Sequence, residues 1–294
     1  MIVRIYGGLG NQMFQYAAGK SISLDRSDKL MLDTRAFVKK DLINRTCRNL
    51  DILDFQIDII PENYNHIRIH KYPNGFISKL ISFLSKKILN NYFYGWHPEL
   101  YRDYKLTYLD GYFQSEKYSQ RFKESILKSF TLKRELDDQI SFIKKIFLDQ
   151  DFIGVHVRRG DYFNNPSVKK WHGICNLEYY ERGVSYLLNK YPESRVAIFS
   201  DNIDWCKKHL KNIENPFYVS EYAKNNKIEL RASQELILMS HCKNFVISNS
   251  TFSWWAQYLC MNNEKKIVSP SVWNLNPRSK NIDLINESWY TIKT

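Results

Sequence analysis

The chain has 294 residues, and its 43 Lys and Arg residues outnumber its 31 Asp and Glu residues, which makes the formal net charge +12 at pH 7. This length suits one large domain or two moderate ones, and the charge favours anionic partners such as phosphates, nucleic acid or an anionic membrane surface. No apolar segment has the pattern of a signal peptide or a membrane span. The five dispersed cysteines show no zinc-binding pattern, so we expect a reduced, cytoplasmic protein.

The first elements predict a βαβ unit with a glycine-rich first turn. Residues 2–6 form a strand pattern, residues 7–12 read G-G-L-G-N-Q, and a helix is predicted from about Met13 to Leu24. A second strand ends at Asp33, where a ribose-binding carboxylate would stand in a dinucleotide-binding protein. Met13 occupies the place of the third glycine of that fingerprint, so a nicotinamide oxidoreductase is only a minor hypothesis. The glycines favour a close approach to another ligand or to the other half of the molecule.

The middle of the chain is harder to interpret. Residues 76–90 form a basic amphipathic stretch, which indicates either a packing helix or contact with an anionic bilayer. Residues 108–115 alternate like a strand, and residues 141–148 predict a helix that closes the first half. We therefore predict two α/β units, residues 1–150 and residues 151–294, with the boundary near Gln150.

The second half alternates short apolar runs with helical periodicity, which is typical of a parallel sheet covered by helices on both faces. Predicted strands occupy residues 152–157, 195–200, 216–220, 244–248 and 266–269. Predicted helices occupy residues 177–190, 202–210, 228–242 and 252–260.

Polar side chains follow the predicted strands at their carboxyl ends, where ligands bind in such sheets. Arg158 and Arg159 could hold phosphate oxygens, because each guanidinium offers a planar fork of donors. Ser250 or Thr251 opens a helix whose free N–H groups suit a phosphate. Asp201 could accept hydrogen bonds from guanine, and less fully from uracil. The groups at these strand ends are His156, Arg158, Arg159, Asp161, Ser200, Asp201, Asn202, Ser220, Glu221, Ser248, Asn249, Ser250, Thr251 and Ser253.

Simpler interpretations of the same residues stay open at this point. The arginines and Asp161 could be a surface ion-pair cluster, and Ser250 could be an ordinary helix cap. The pair Asp149 and Asp151 has the Asp-x-Asp spacing of metal-dependent sugar transferases, but it precedes the strand and so lies at the wrong edge. We therefore predict no metal ligands.

Five motifs, given at the end of this paragraph in chain order, make the sequence resemble the α-1,2-fucosyltransferases of glycosyltransferase family 11. The resemblance implies a GT-B-like fold, with two Rossmann-type domains facing each other across a cleft. It also implies inverting transfer of L-fucose from GDP-β-L-fucose to the 2-hydroxyl of a galactoside. GDP-fucose would be a co-substrate, and the reaction would need no metal and no other cofactor. The motifs are G-G-L-G-N-Q-M-F-Q-Y-A-A-G (7–19), L-D-G-Y-F-Q-S (109–115), G-V-H-V-R-R-G-D-Y (154–162), F-S-D-N (199–202) and I-S-N-S-T-F-S-W-W-A (247–256).

The resemblance also assigns roles to residues. Arg158 would bind the β-phosphate and stabilise the charge on the departing GDP, whereas Arg159 would support the structure or the ribose. Asn11 would approach the fucose and the acceptor. Asp161 is either the base that deprotonates the acceptor or a brace for the arginines, and a path without a protein base stays open. Donor binding would further involve His156, Asp201, Ser250, Thr251 and Phe252.

The partners that follow are GDP-fucose and a galactose-containing glycan or lipid-linked oligosaccharide, as in synthesis of an O-antigen or capsule. The protein would be cytoplasmic and could contact the inner membrane surface peripherally. A non-catalytic nucleic-acid or anion-binding protein is the alternative from a different class. Its basic residues are scattered, however, and no aromatic–basic motif is present, so we expect no nucleic-acid partner.

Overall fold

The computed structural model describes residues 1–37, 48–57, 94–104, 108–159, 174–275 and 282–294. The basic stretch at residues 76–90 and the candidate base Asp161 lie outside these ranges, so their predicted roles stay predictions. Among the described helices, none combines the length and the apolar character that a membrane crossing requires.

The first half contains a parallel sheet of three strands, in the order β2-β1-β3. The strands are β1 (Ile2–Arg4), β2 (Met31–Asp33) and β3 (Tyr108–Leu109), and helix α1 (Leu9–Arg26) connects the first two. Short helices follow along the chain. They are the 3-10 turns Arg35–Phe37, Asp51–Asp54 and Pro98–Tyr101, and the α-helices α2 (Lys117–Gln120), α3 (Lys123–Ser129), α4 (Arg134–Gln139) and α5 (Ser141–Asp149).

The second half contains a six-stranded sheet in the order β6-β5-β4-β7-β8-β9, in which every described pair is parallel. Its strands are β4 (Phe152–Val157), β5 (Arg195–Ser200), β6 (Phe217–Tyr218), β7 (Asn244–Val246), β8 (Ile267–Pro270) and β9 (Tyr290–Ile292). Its helices are α6 (Leu177–Lys190), α7 (Ile203–His209), α8 (Val219–Asn225), α9 (Ala232–Ser240) and α10 (Thr251–Leu259). The mixed α/β fold with parallel sheets is therefore confirmed.

The strand order reverses between β4 and β7, which are neighbours in the sheet. The chain passes from β4 outward to β5 and β6, then returns to the other side of β4 to form β7. In open parallel sheets the ligand crevice opens at such a switch point, beyond the carboxyl ends of the strands. The topology therefore directs attention to the residues that follow β4 and β7.

Several predicted elements differ in length from the observed ones. The strand pattern at residues 108–115 is a strand only at Tyr108–Leu109. Helix α1 begins at Leu9 rather than near Met13, because extended Gly8 caps it and the following glycine lies in the first turn. The run at residues 216–220 is a strand only at Phe217–Tyr218. The long helix predicted at residues 228–242 begins at Ala232.

One hydrophobic core joins the two halves through α1 and α10. The ring of Phe14 on α1 lies 4.7 Å from the ring of Trp254 and 4.9 Å from that of Trp255. All three side chains are fully buried. The two sheets are thus held in a common packing arrangement, while a domain boundary near Gln150 stays a prediction.

Candidate functional site

Strand pairing brings the residues that follow β4 and β5 together. The last residues of these strands, Val157 and Ser200, are paired in the parallel register. Arg158 and Asp201, the residues directly after these two, form an ion pair in which Nη1 of Arg158 lies 3.0 Å from Oδ2 of Asp201. The backbone N–H of Arg159 donates to Oδ1 of Asp201 at 2.9 Å. Asp201 therefore orients Arg158 at the mouth of the crevice, and the two side chains stay 22% and 23% exposed.

The second arginine has different surroundings. The guanidinium carbon of Arg159 lies 4.0 Å from the centre of the Trp205 ring, and this ring stacks on His209 at 4.8 Å. A guanidinium over an indole face makes a favourable cation–π contact. This contact fits the expectation that Arg159 supports the structure or the ribose side, which nevertheless stays a prediction.

His156 is buried in the wall of the same crevice. Its Nδ1 lies 2.8 Å from Oγ of Ser248, and its ring stacks on Phe252 with the ring centres 5.1 Å apart. Burial, aided by the charge of Arg158, lowers the pKa of His156 to about 3, so the imidazole is neutral at pH 7. The structure therefore gives His156 and Phe252 a shared packing role beside Arg158, and contact of either with a donor stays a prediction.

The amino terminus of α10 opens beside the same crevice, after β7. Ser250 caps this helix, because its Oγ accepts a hydrogen bond from the N–H of Phe252 at 3.4 Å. Thr251 begins the helix and is partly exposed. Ser250 is therefore a helix cap, as the simpler interpretation held. A capped helix amino terminus at the carboxyl edge of the sheet is still well suited to a phosphate, since the helix dipole favours negative charge there.

Gly10 places the start of α1 against the start of α10. A Cβ atom on Gly10 would lie 2.4 Å from the carbonyl carbon of Thr251 and 2.6 Å from the nitrogen of Phe252. This contact confirms that the glycine-rich segment approaches the other half of the molecule. Asn11 follows directly, and its Oδ1 accepts a hydrogen bond from Nε2 of Gln114 at 2.9 Å. The predicted acceptor-side residue therefore lies next to the predicted donor pocket.

The sequence interpretation missed Glu235, in the first turn of α9. Its Oε1 is shielded from solvent and has no hydrogen-bond partner among the described residues. Burial and the neighbouring charge of Asp201 raise the pKa of Glu235 to about 7, against an opposing effect of Arg158. No sequence motif contains this glutamate, and a glutamate within a predicted helix is usually interpreted as a solvent-exposed residue. Only the three-dimensional packing shows that a second carboxyl group, besides that of Asp201, interacts electrostatically with Arg158.

The structure also places two other carboxylates that the sequence analysis considered, Asp33 as a ribose ligand and Asp151 as a metal ligand. Both oxygens of Asp33 accept from the guanidinium of Arg35 at 2.8 Å, and the Tyr108 hydroxyl donates to Oδ2 at 2.6 Å. This network gives Asp33 a structural task, so its spacing does not signal a ribose site. Asp151 precedes β4, at the opposite edge of the sheet from Arg158. Within the described ranges, no three His, Cys, Asp or Glu side chains gather as metal ligands.

Two parallel α/β sheets that share a core make a GT-B-like fold. The fucosyltransferase NodZ from Bradyrhizobium has this fold, with a TM-score of 0.52 and 16% identity over 88% of this chain and 92% of that one. The family model for glycosyl transferase family 11 matches residues 1–293, and this chain belongs to that family. The resemblance seen in the five motifs is confirmed.

Two relatives from Escherichia coli match along their whole length. The O-antigen biosynthesis glycosyltransferase WbnK is 31% identical over 97% of this chain and 98% of its own. An alpha-1,2-colitosyltransferase is 28% identical over 100% of this chain and 99% of its own. The protein is therefore a glycosyltransferase, and we do not retain the nucleic-acid-binding and oxidoreductase hypotheses.

Proposed function

We propose that this protein is an inverting transferase that moves L-fucose from GDP-β-L-fucose to the 2-hydroxyl of a galactoside and forms an α-linkage. The observation that carries the proposal is the position of Arg158. Asp201 holds its guanidinium beyond the carboxyl end of β4, and the amino terminus of α10 follows the neighbouring strand β7. A sugar nucleotide needs this combination, because its diphosphate is both the anchor and the leaving group.

Arg158 stabilises the leaving group in this proposal. Negative charge grows on the β-phosphate as the bond to fucose breaks, so a fixed guanidinium binds the transition state more strongly than the ground state. The amino terminus of α10 neutralises the same diphosphate. Together these groups supply the positive charge that a metal ion would otherwise provide, and we expect transfer to continue in EDTA.

Asp201 has a positioning role in addition to the proposed reading of guanine. One carboxylate oxygen accepts from Arg158 and the other from the N–H of Arg159, and a carboxylate oxygen can accept more than one hydrogen bond. Replacing Asp201 by Asn separates the two roles. Loss of guanine recognition would change the preference for GDP over inosine diphosphate, whereas loss of positioning would lower kcat without changing that preference.

The proton of the acceptor hydroxyl leaves by one of two routes. Asp161 is the protein group proposed as base, and the departing phosphate is the alternative acceptor. The variant Asp161→Asn decides between them, since a base contributes about 100-fold or more to the rate. A variant that retains near-normal kcat assigns the proton to the phosphate.

We place the reaction in the synthesis of a surface polysaccharide, an O-antigen or a capsule, with a galactose-containing glycan or a lipid-linked oligosaccharide as acceptor. The name of the relative WbnK supports the O-antigen setting. A lipid-linked acceptor would bring the protein to the inner face of the membrane as a peripheral component. Co-sedimentation with anionic vesicles tests that contact.

Colitose transfer is a second candidate, favoured by the full-length similarity to the alpha-1,2-colitosyltransferase. Colitose differs from fucose by the absence of the 3-hydroxyl. A site that hydrogen-bonds this hydroxyl rejects the deoxy sugar strongly, whereas an apolar contact at that position does not. Comparison of kcat/KM for GDP-fucose and GDP-colitose identifies the donor.

Product analysis tests the proposed function as a whole. Purified protein is incubated with GDP-fucose and a panel of β-galactosides in EDTA, and the products are identified by mass spectrometry and NMR. We expect one equivalent of GDP and one α-1,2-linked fucosyl product. Another linkage, a retained β-configuration, or activity that returns only with manganese would contradict the corresponding part of the proposal.

A further inference from the structure

A cluster of three tyrosines lies at the carboxyl edge of the first sheet. Tyr6 follows β1, Tyr112 follows β3, and Tyr94 packs beside them. The ring centre of Tyr112 is 5.1 Å from that of Tyr6 and 5.4 Å from that of Tyr94. All three residues are partly exposed. We call Tyr6, Tyr94 and Tyr112 the tyrosine platform.

A strained turn holds the platform in place. Phe113 adopts a φ of 51°, a left-handed conformation that is unusual for an aromatic residue. Its side chain is fully buried against Tyr118, while the next residue, Gln114, donates its backbone N–H to the carbonyl oxygen of Tyr94 at 2.7 Å. Such strain persists where the surrounding structure fixes it, often at binding sites. The turn therefore ties Tyr94 to Tyr112.

A pair of amide side chains adjoins the platform. The side chain of Gln114 donates to Oδ1 of Asn11 at 2.9 Å. Gly7, with a φ of 81°, leaves room for this amide, because a Cβ atom there would lie 3.2 Å from Nδ2 of Asn11. Amide groups and tyrosine rings thus lie close together at this sheet edge, and together they can offer hydrogen bonds and apolar surface to a ligand.

The electrostatics of this edge favour a neutral ligand. Arg4 and Asp110 form an ion pair at 2.8 Å, so their charges cancel, and the Arg4 guanidinium lies 5.2 Å from the Tyr6 ring centre. Burial raises the pKa of Tyr6 far above neutrality, so its hydroxyl carries no charge. A second nucleotide or another anion would find no net positive charge among these residues.

We propose that the tyrosine platform and the Asn11–Gln114 pair form the subsite for the acceptor galactoside. The apolar C–H face of the sugar ring stacks on the tyrosine rings, and its hydroxyls bond to the amides. The position fits, because Asn11 follows Gly10, which contacts Thr251 and Phe252 beside the donor crevice. This inference rests on the proposed function, since it assumes a galactoside acceptor.

Substitutions at Tyr112 test the subsite by steady-state kinetics. Tyr112→Leu removes the ring face but keeps an apolar side chain, and we expect the KM for a methyl β-galactoside to rise about tenfold. The KM for GDP-fucose should change less than about twofold, within the scatter of such contacts. Tyr112→Phe keeps the ring, so its acceptor KM should rise less than that of Tyr112→Leu. An unchanged acceptor KM in Tyr112→Leu would overturn the proposal.

Tyr104 provides a matched control. It is a 72% exposed tyrosine of the same half, and it lies against Arg26 at the opposite end of α1 from Asn11. Tyr104→Leu should leave both KM values unchanged. If Tyr112→Leu fails to fold, as judged by its melting curve, Tyr94→Leu replaces it with the same expected result and the same contradiction.

A binding measurement separates the subsite from the reaction. Methyl β-galactoside is titrated into the GDP-loaded protein and followed by saturation-transfer NMR, first for the wild type and then for Tyr112→Leu. Wild-type binding that the substitution weakens supports the subsite. Equal binding by both proteins, or no wild-type binding despite bound GDP, overturns it. Failure of the wild type to bind GDP in a thermal-shift assay would instead contradict the proposed function, and the proposed subsite would fail with it.

Discussion

At the scale of single residues, the two adjacent arginines have different surroundings. Arg158 pairs with Asp201 at the open mouth of the crevice, whereas Arg159 is stacked on Trp205. The resemblance to the family already implied different roles for the two arginines, with Arg158 at the β-phosphate. Their surroundings distinguish them, because only the structure shows which guanidinium the acidic partner orients.

The substitution Arg158→Lys tests the task of the first arginine. Lysine keeps the charge but loses the planar fork of donors, so we expect kcat to fall about 100-fold or more. The melting temperature should change little, since an ammonium group can still pair with Asp201. Arg182→Lys is the control, because Arg182 forms an exposed i,i+4 pair with Glu178 on α6. Nearly normal turnover by Arg158→Lys would contradict the assigned role.

Glu235 makes the stability of the protein depend on pH in a defined direction. Its pKa is about 7 in the folded protein, above the value of 4.5 expected when unfolded, so the folded state binds more protons between these pH values. The contribution of Glu235 therefore leaves the protein most stable below pH 4.5, and the free energy of unfolding falls as the pH rises from there to about 7.

The variant Glu235→Gln removes this titration. We expect the variant to gain on the order of 1–3 kcal/mol relative to the wild type between pH 5 and pH 8, measured by urea unfolding at each pH. Glu178→Gln, at a carboxylate that is 70% exposed, should show no comparable gain. An equal pH profile for Glu235→Gln and the wild type would show that the carboxyl group is not held as described.

At the scale of elements, the contact between α1 and α10 depends on a missing side chain. Gly10→Ala would press a methyl group into the backbone of Thr251 and Phe252, so we expect a loss of about 3 kcal/mol or more. Gly8→Ala is the control, because a Cβ atom there meets nothing within 4 Å and its φ of −76° suits alanine. Urea unfolding measures both. Equal stability of the two variants would refute the close contact.

Most elements of the second half could be predicted, because their buried strands are continuous apolar runs bounded by turn residues. The start of α1 could not, since Gly8 and Gly10 indicate a loop until the docking of α10 is known. The predicted length of the strand at residues 216–220 was too great, because Val219 and Ala223 lie at helical spacing and are both buried on α8. Local preference yields to tertiary packing in each case.

The candidate site was predicted as a set of strand ends, and its internal geometry was not. The sequence indicated that Arg158, Asp201 and Ser250 share one edge, because parallel strands end together. It did not indicate that Asp201 orients Arg158, or that Glu235 interacts electrostatically with both. Those relations depend on side-chain packing between elements that are far apart in the chain.

At the scale of the whole molecule, the shared core brings two sheet edges together. The edge of the first sheet carries Asn11 and the tyrosine platform, and the edge of the second carries Arg158 and the start of α10. In the proposed function, these edges hold the donor and the acceptor in one geometry, which would lower the entropic part of the barrier. The excess of positive charge on the chain would assist capture of the proposed anionic donor.

A crystal structure of the protein with GDP tests the central claim most directly, because it locates the diphosphate without depending on the acceptor. We predict the β-phosphate within about 3 Å of the Arg158 guanidinium, with its other oxygens toward the first N–H groups of α10. GDP bound outside the switch point between β4 and β7, with Arg158 directed away from it, would contradict the account.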